Sequence, residues 1–275
     1  MTNGKSVRQV NARKWRDGAA RAETDRLAVE EPLEIRLGGR RFTLTMRTPG
    51  NDEELAAGFL LAEGFIDSTA ELGEIRRVRD AKGAPEANAI DIVLNVPADG
   101  LRERLKRNFA VSSSCGVCGK TSIDALTRRI EPIVSTFTIA PGEVLAMPAR
   151  MRAAQAVFAA TGGLHAAALF ECGARAPRLL ALREDVGRHN AVDKVVGWAL
   201  RAGMTPLSRH AMMVSGRLSF EIVQKAAAAG IPILCAVSAP SSLAVELAEE
   251  AGITLAGFVR DGGFNVYAHP DRIAG

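Results

Sequence analysis

Aromatic residues make up only 5% of the 275 positions, with a single tyrosine, which leaves little from which to build a stacking platform for single-stranded nucleic acid. No apolar run approaches the ~20 residues of a membrane helix, and residues 1–26 lack the apolar stretch of a secretory signal. The chain is therefore expected to be cytoplasmic, neither spanning a membrane nor exported. Four cysteines are too few for a disulfide scaffold at this length, whereas a close Cys-x-x-Cys pair in a cytosolic protein points to metal or thiol chemistry. Walker A and GxGxxG motifs are missing, so ordinary ATP or NAD binding is not indicated. What is present, 47% hydrophobic and 24% charged residues, suffices for one large core or two adjoining small ones.

The net charge of +4 is concentrated in residues 1–26, where seven Lys and Arg face three acids, while the remainder is neutral. Residues 1–28 read as a basic, flexible, solvated arm, and nucleic acid is not an expected partner. Leu33, Ile35 and Leu37, then Gly38-Gly39, then Phe42, Leu44 and Met46 alternate as a β-hairpin. Asn51 or Asp52 can cap a helix carrying Leu55, Phe59 and Leu60 and ending at Gly64. Ile90 to Val96 supplies a further strand ended by Pro97.

Beyond about residue 140, strand-like runs beginning at Ala166, Leu179, Ala211, Ile233 and Thr254 alternate with helical stretches near 150–160, 191–201, 220–229 and 243–251. That rhythm predicts an α/β fold, a largely parallel sheet covered on both faces. Pro132, Pro141, Gly142 and Pro148 punctuate the change, giving an α+β domain over 29–140 and an α/β domain over 141–275.

Two constellations carry chemistry. Cys115 and Cys118, within Ser112-Ser113-Ser114-Cys115-Gly116-Val117-Cys118-Gly119-Lys120, suit sulfur or disulfide chemistry, a shared metal, or an incidental pair. A second close cysteine pair for a structural zinc is lacking, and Cys172 and Cys235 read as buried small hydrophobes. The other constellation is three strand-end loops: Arg188 and His189 after the second strand of the α/β half, Ser215 and Arg217 after the third, Ser238 after the fourth. Such loops share one sheet edge, where helix N-terminal amides, hydroxyls and guanidinium groups suit a nucleotide, although any one hydroxyl there also reads as a helix cap. His165, at the start of a strand behind Gly162-Gly163, reads as structural, and His210 and His269 as solvent-facing.

Taken in order, seven motifs resemble the formate dehydrogenase accessory sulfurtransferases, FdhD. They are Arg47-Thr48-Pro49-Gly50-Asn51-Asp52 with Glu54, Gly58 and Phe59; Ser113-Ser114-Cys115-Gly116-Val117-Cys118-Gly119; Thr161-Gly162-Gly163-Leu164-His165; and Glu184-Asp185-Val186-Gly187-Arg188-His189-Asn190 with Asp193-Lys194. Ser215-Gly216-Arg217, Ser238-Ala239-Pro240 and Gly257-Phe258-Val259-Arg260 complete the set. The resemblance implies a cytidine deaminase-like three-layer α/β domain with a smaller N-terminal α+β domain, and a homodimer. It implies a sulfur carrier: a cysteine desulfurase loads Cys115, with Cys118 as helper. The sulfur then goes to the molybdenum or tungsten bis-molybdopterin guanine dinucleotide cofactor of the formate dehydrogenase catalytic subunit. Phe258, Val259, Arg260, Asp261, Gly262 and Gly263 would contact that cofactor, for which GDP is a surrogate ligand. No metal-ligand set is expected.

Three rival functions make different predictions. A zinc deaminase needs HxE and a downstream PCxxC, but Ala167 stands where the Glu would be and the only CxxC lies upstream. A thiol-disulfide oxidoreductase would lack a thioredoxin-like βαβ setting for its CxxC. A cofactor-binding chaperone would not need its cysteines.

Overall fold

The computed structural model describes residues 6–80, 82–97, 100, 104, 131–173, 176–260 and 262–274. The basic N-terminal segment, read from the sequence as a flexible arm, has regular structure over residues 7–28. It is an antiparallel hairpin of β1 (Val7–Arg16) and β2 (Ala19–Ala28), turned at Asp17-Gly18 with both residues at positive φ. Cross-strand pairing rather than burial orders it, since most of its side chains are exposed.

The predicted hairpin is β3 (Glu31–Leu37) and β4 (Arg40–Arg47), joined through Gly38 and Gly39, both at positive φ. With β5 (Leu72–Arg79) and β6 (Pro85–Leu94) it makes a four-stranded sheet ordered β4-β3-β6-β5. Helix α1 (Asp52–Ala62) follows as expected, with Gly64 at positive φ beyond its end. Its capping differs from expectation. Asn51 occupies the N-cap but makes no side-chain cap, and the Asp52 carboxylate is taken by Arg47 at 2.8 Å.

The second half holds α2 (Pro141–Ala154), α3 (Ala156–Thr161), β7 (His165–Glu171), β8 (Arg178–Asp185), α4 (Arg188–Arg201), β9 (His210–Val214), α5 (Phe220–Ala228), β10 (Ile233–Ala236), α6 (Ser242–Ala251), β11 (Thr254–Arg260) and β12 (Gly263–Ala268). Pro141 opens α2 at its first position, where a missing N–H costs nothing, but Pro148 lies inside the helix. Buried Val144, Met147 and Met151 hold that helix against the sheet despite the lost hydrogen bond. The six-stranded sheet, ordered β12-β11-β10-β9-β7-β8, is mixed rather than largely parallel. Only β9, β10 and β11 pair in parallel; β7 runs against both its neighbours and β12 against β11. Because β7 opposes both β8 and β9, the strands β8, β9, β10 and β11 still point the same way, and their carboxyl ends share one edge.

Alternation along these strands separates two apolar layers. Leu169, Met212 and Leu234 face the side of α4, α5 and α6, whereas Phe170, Met213 and Cys235 face α2. The first layer continues through α4 and α1 to Leu33, Ile35 and Ile92 of the small sheet, so both sheets share one core. Helices α1 and α4 cross at glycines. A Cβ on Gly58 would fall 1.9 Å from the Asp193 carbonyl oxygen, and one on Gly197 would fall 1.8 Å from that of Glu54. Among the described residues, no helix is long and apolar enough to cross a membrane.

Candidate functional site at the sheet edge

The run from Arg47 meets the run from Glu184 in a buried polar joint. Asp185, fully buried, accepts from the Thr48 amide at 3.1 Å, the Gly187 amide at 2.8 Å and the Asn190 side chain at 3.0 Å, and pairs with Lys194 at 2.7 Å. Lys194 Nζ also donates to the Thr48 carbonyl at 2.8 Å. Glu54 accepts from Arg183 at 2.5 and 2.8 Å, and Glu184 accepts from the Val157 and Phe158 amides that open α3. These motif residues therefore fix the frame around the edge, with Asp185, Lys194 and Glu54 each partnered.

On that frame the strand-end loops converge. The loop after β9 is spliced to β7: Ser215 Oγ accepts from the Ala166 amide at 2.8 Å, and the Ser215 amide donates to the Ala166 carbonyl. Next to it, Gly216 leaves open a position where a Cβ would lie 3.4 Å from His165 Nδ1 and 3.6 Å from Arg188 Cδ. His189 Nε2 lies 2.7 Å from the Glu221 carboxylate and 3.4 Å from Ser219 Oγ. The Leu218 amide donates to the Ala239 carbonyl, joining the β9 and β10 loops, and the Phe258 amide donates to the Ser238 carbonyl at 3.2 Å. The expected residues Arg188, His189, Ser215, Arg217, Ser238 and Phe258 are thus brought to one edge, where α4, α5 and α6 also begin. Val259 is buried, Arg260 stacks its guanidinium 5.5 Å from the Phe258 ring centroid, and Gly262 and Gly263 form the exposed turn into β12. Asp261, Cys115 and Cys118 lie outside the described residues.

The electrostatics favour an anion. Burial, and then the nearby Arg188, His189 and Arg217 side chains, push His165 below its ordinary value, favouring neutral imidazole. Glu221 is held below the usual carboxylate range chiefly by its hydrogen bond with His189. Arg188 Nε is buried and finds no acceptor among the described residues, although such groups are normally satisfied. An anion at this edge would supply one. Phe258 sits at φ 54, where a bulky residue is strained by roughly 1–3 kcal/mol, and the strand register slips between Gly257 and Arg260.

His165 belongs to this edge, contrary to its reading as merely structural, and Glu221 was not anticipated at all. The signal for His165 was the Gly162-Gly163 turn, which has Gly162 at φ 67 and delivers β7 to the edge. His210 and His269 are half-buried rather than solvent-facing: His210 follows the Leu207 turn, and His269 Nε2 lies 3.0 Å from the Glu249 carbonyl. Ser241 caps α6 through the Ala244 amide, whereas Ser219 makes no side-chain cap. Because Ser215 Oγ serves the backbone, Ser215→Ala is expected to cost about 1 kcal/mol of stability, read as a lower urea midpoint at unchanged slope. No loss would show that its hydroxyl is not part of the splice.

The model of the FdhD/NarQ family matches residues 28–274. The chain belongs to the FdhD/NarQ family. It is 51% identical over 260 residues to the sulfur carrier protein FdhD of Mycolicibacterium paratuberculosis, covering 93% of this chain and 94% of that one. With the sulfur carrier protein FdhD of Sulfolobus acidocaldarius it shares 42% identity over 97% and 98% of the two chains. Among solved structures it is similar to a Desulfotalea psychrophila protein assigned as a formate dehydrogenase accessory protein. The TM-score is 0.75 at 27% identity, over 98% of this chain and 99% of that one. The FdhD/NarQ match thus spans both sheets and every loop of the edge, leaving out most of the N-terminal hairpin.

Proposed function

We propose that the chain is a sulfur carrier for formate dehydrogenase maturation, taking persulfide sulfur from a cysteine desulfurase and passing it to the molybdenum or tungsten bis-molybdopterin guanine dinucleotide. What carries the reading is the likeness to named sulfur carriers along nearly the whole chain. The thiol inventory supports Cys115 and Cys118 as the working pair. Burial pushes the Cys235 and Cys172 thiols up to about 12, which leaves almost no thiolate there.

In loading, the Cys115 thiolate attacks the outer sulfur of the desulfurase persulfide. A new S–S bond forms, the old one breaks and the desulfurase cysteine leaves as thiolate, with no net oxidation. In release, the Cys118 thiolate attacks the Cys115 sulfur, forming a disulfide and expelling hydrosulfide. The transferred sulfur gains the two electrons that the cysteine pair loses, and a dithiol reductant resets the pair.

The cofactor is the substrate of this step, and the edge residues fit its diphosphates. Arg188 has an unmet N–H, Arg217 is exposed, Gly216 leaves room, and the Ser215 hydroxyl keeps its hydrogen to donate. On the same reading the working form is a homodimer and the formate dehydrogenase catalytic subunit is the recipient.

Incubation with a cysteine desulfurase and cysteine is expected to add the mass of one sulfur atom to the wild type and to Cys235→Ala, and none to Cys115→Ser. GDP binding by calorimetry is expected to weaken at least about tenfold in Arg217→Ala, as for a lost charge-assisted contact. Full loading of Cys115→Ser sinks the assignment of Cys115 as the acceptor, and formate dehydrogenase maturation by Cys115→Ala would favour a chaperone.

A further inference from the structure

A cleft of about 900 Å3 opens between the N-terminal hairpin and the four-stranded sheet, with no residue of the strand-end loops in its lining. Val7, Arg8 and Gln9 of β1 line it, as do Ala87, Asn88 and Ala89 of β6. Side chains alternate across a strand, so a wall made of consecutive residues is a strand met at its edge rather than on one face. Among the described residues the outer edge of β1 is unpaired there, since β1 pairs with β2 alone, whereas β6 is already paired with β3 from Ala89 to Ile92. Arg47 accounts for the split: its guanidinium donates to the Glu31 carbonyl at 3.3 Å and to Asn88 Oδ1 at 3.0 Å, standing where backbone pairing would otherwise continue.

The charges of the cleft are uneven in their commitments. Asp52 is held by Arg47, Glu53 by Arg201 at 2.6 Å and Glu54 by Arg183, and Glu31 lies 3.7 Å from Arg47. Arg8 and Arg77 line the same space, are exposed, and have no carboxylate partner among the described residues. We propose that this cleft takes an extended acidic segment of a partner protein, which adds as a strand to the free edge of β1 and pairs its carboxylates with Arg8 and Arg77. Backbone pairing supplies affinity and the two guanidinium groups select acidic sequence. The proposal does not rest on the sulfur-carrier reading.

The test is fluorescence polarisation with the full chain and a fluorescein-labelled Glu-Val-Glu-Val-Glu-Val peptide. Saturable binding is expected, weakened by salt and at least tenfold weaker for R8E/R77E with an unchanged far-UV spectrum. On the wild type, the same peptide N-methylated at alternate residues keeps its charge but loses donors on one edge, and it is expected to bind at least tenfold more weakly. Absence of saturable binding, equal affinity in R8E/R77E, or equal binding of the N-methylated peptide overturns the proposal. So does single-stranded DNA competing at matched charge, which would mark a generic polyanion surface.

Discussion

Gly197→Ala is expected to destabilise the protein by about 3 kcal/mol or more, lowering Tm by roughly 6–12 °C for a chain of this size. A Cβ there would lie 1.8 Å from the Glu54 carbonyl oxygen and 2.7 Å from the Gly58 amide nitrogen, so the obstruction is backbone, which cannot rotate away. The helices cannot separate cheaply either. Glu54 of α1 is tied to Arg183 of β8, and α4 is fully buried along Val192, Val195 and Val196. Relief must therefore open the core shared by the two sheets. Gly142→Ala is the control, because a Cβ there meets nothing within 4 Å and a helix favours alanine. Equal melting temperatures for the two variants would contradict the close crossing.

The features legible in the sequence are those set by short-range periodicity. The β3–β4 hairpin shows in alternating Leu33, Ile35 and Leu37 around two glycines, and α1 shows in the spacing of Leu55, Phe59 and Leu60. Strand direction was not legible, because a strand buried on both faces has the same composition whichever way it runs, and β7 has its apolar alanines either way. The N-terminal hairpin was hidden for the opposite reason: its order comes from cross-strand backbone bonds, while Arg, Lys and Glu side chains mask its alternation. Gly58 and Gly197 look like ordinary helical glycines until each is set against the other helix.

The edge was partly legible. Arg188, Arg217, Ser215 and Ser238 follow strand ends that the reversal at β7 leaves aligned, and loops in that position gather around ligands in α/β sheets. His165 was not, since it reaches the edge only because β7 runs antiparallel and begins where its neighbours end. Much of the motif pattern belongs to the frame instead. Asp185, Lys194, Arg47 and Glu54 serve a buried joint, which short motifs cannot distinguish from contacts to a ligand.

Lys225→Met is expected to cost about 3–5 kcal/mol near neutral pH, because it leaves a buried carboxylate without its counter-charge. Lys225 Nζ lies 2.8 and 2.9 Å from the two Asp193 oxygens and 3.8 Å from Glu63, with Asp193 and Lys225 both almost wholly buried. Burial pushes Asp193 up to about 6 even though the Lys225 charge pulls the other way. The native state therefore keeps a proton on Asp193, between its ordinary 3.8 and about 6, that the unfolded state gives up. Stability from this group is greatest below that window and falls as pH rises through it. Without Lys225 the opposing attraction is gone, so Asp193 holds its proton to higher pH and the penalty for ionising it grows. The deficit of Lys225→Met relative to wild type should then be small at about pH 5 and several-fold larger at about pH 8, measured as the separation of urea midpoints. Adding Asp193→Leu to Lys225→Met should recover most of the loss by removing the stranded charge. A deficit of the same size at both pH values, and no recovery in the double variant, would assign the loss to the packing of the lysine stem against Phe59, whose ring centroid is 5.8 Å from Nζ, rather than to the ion pair.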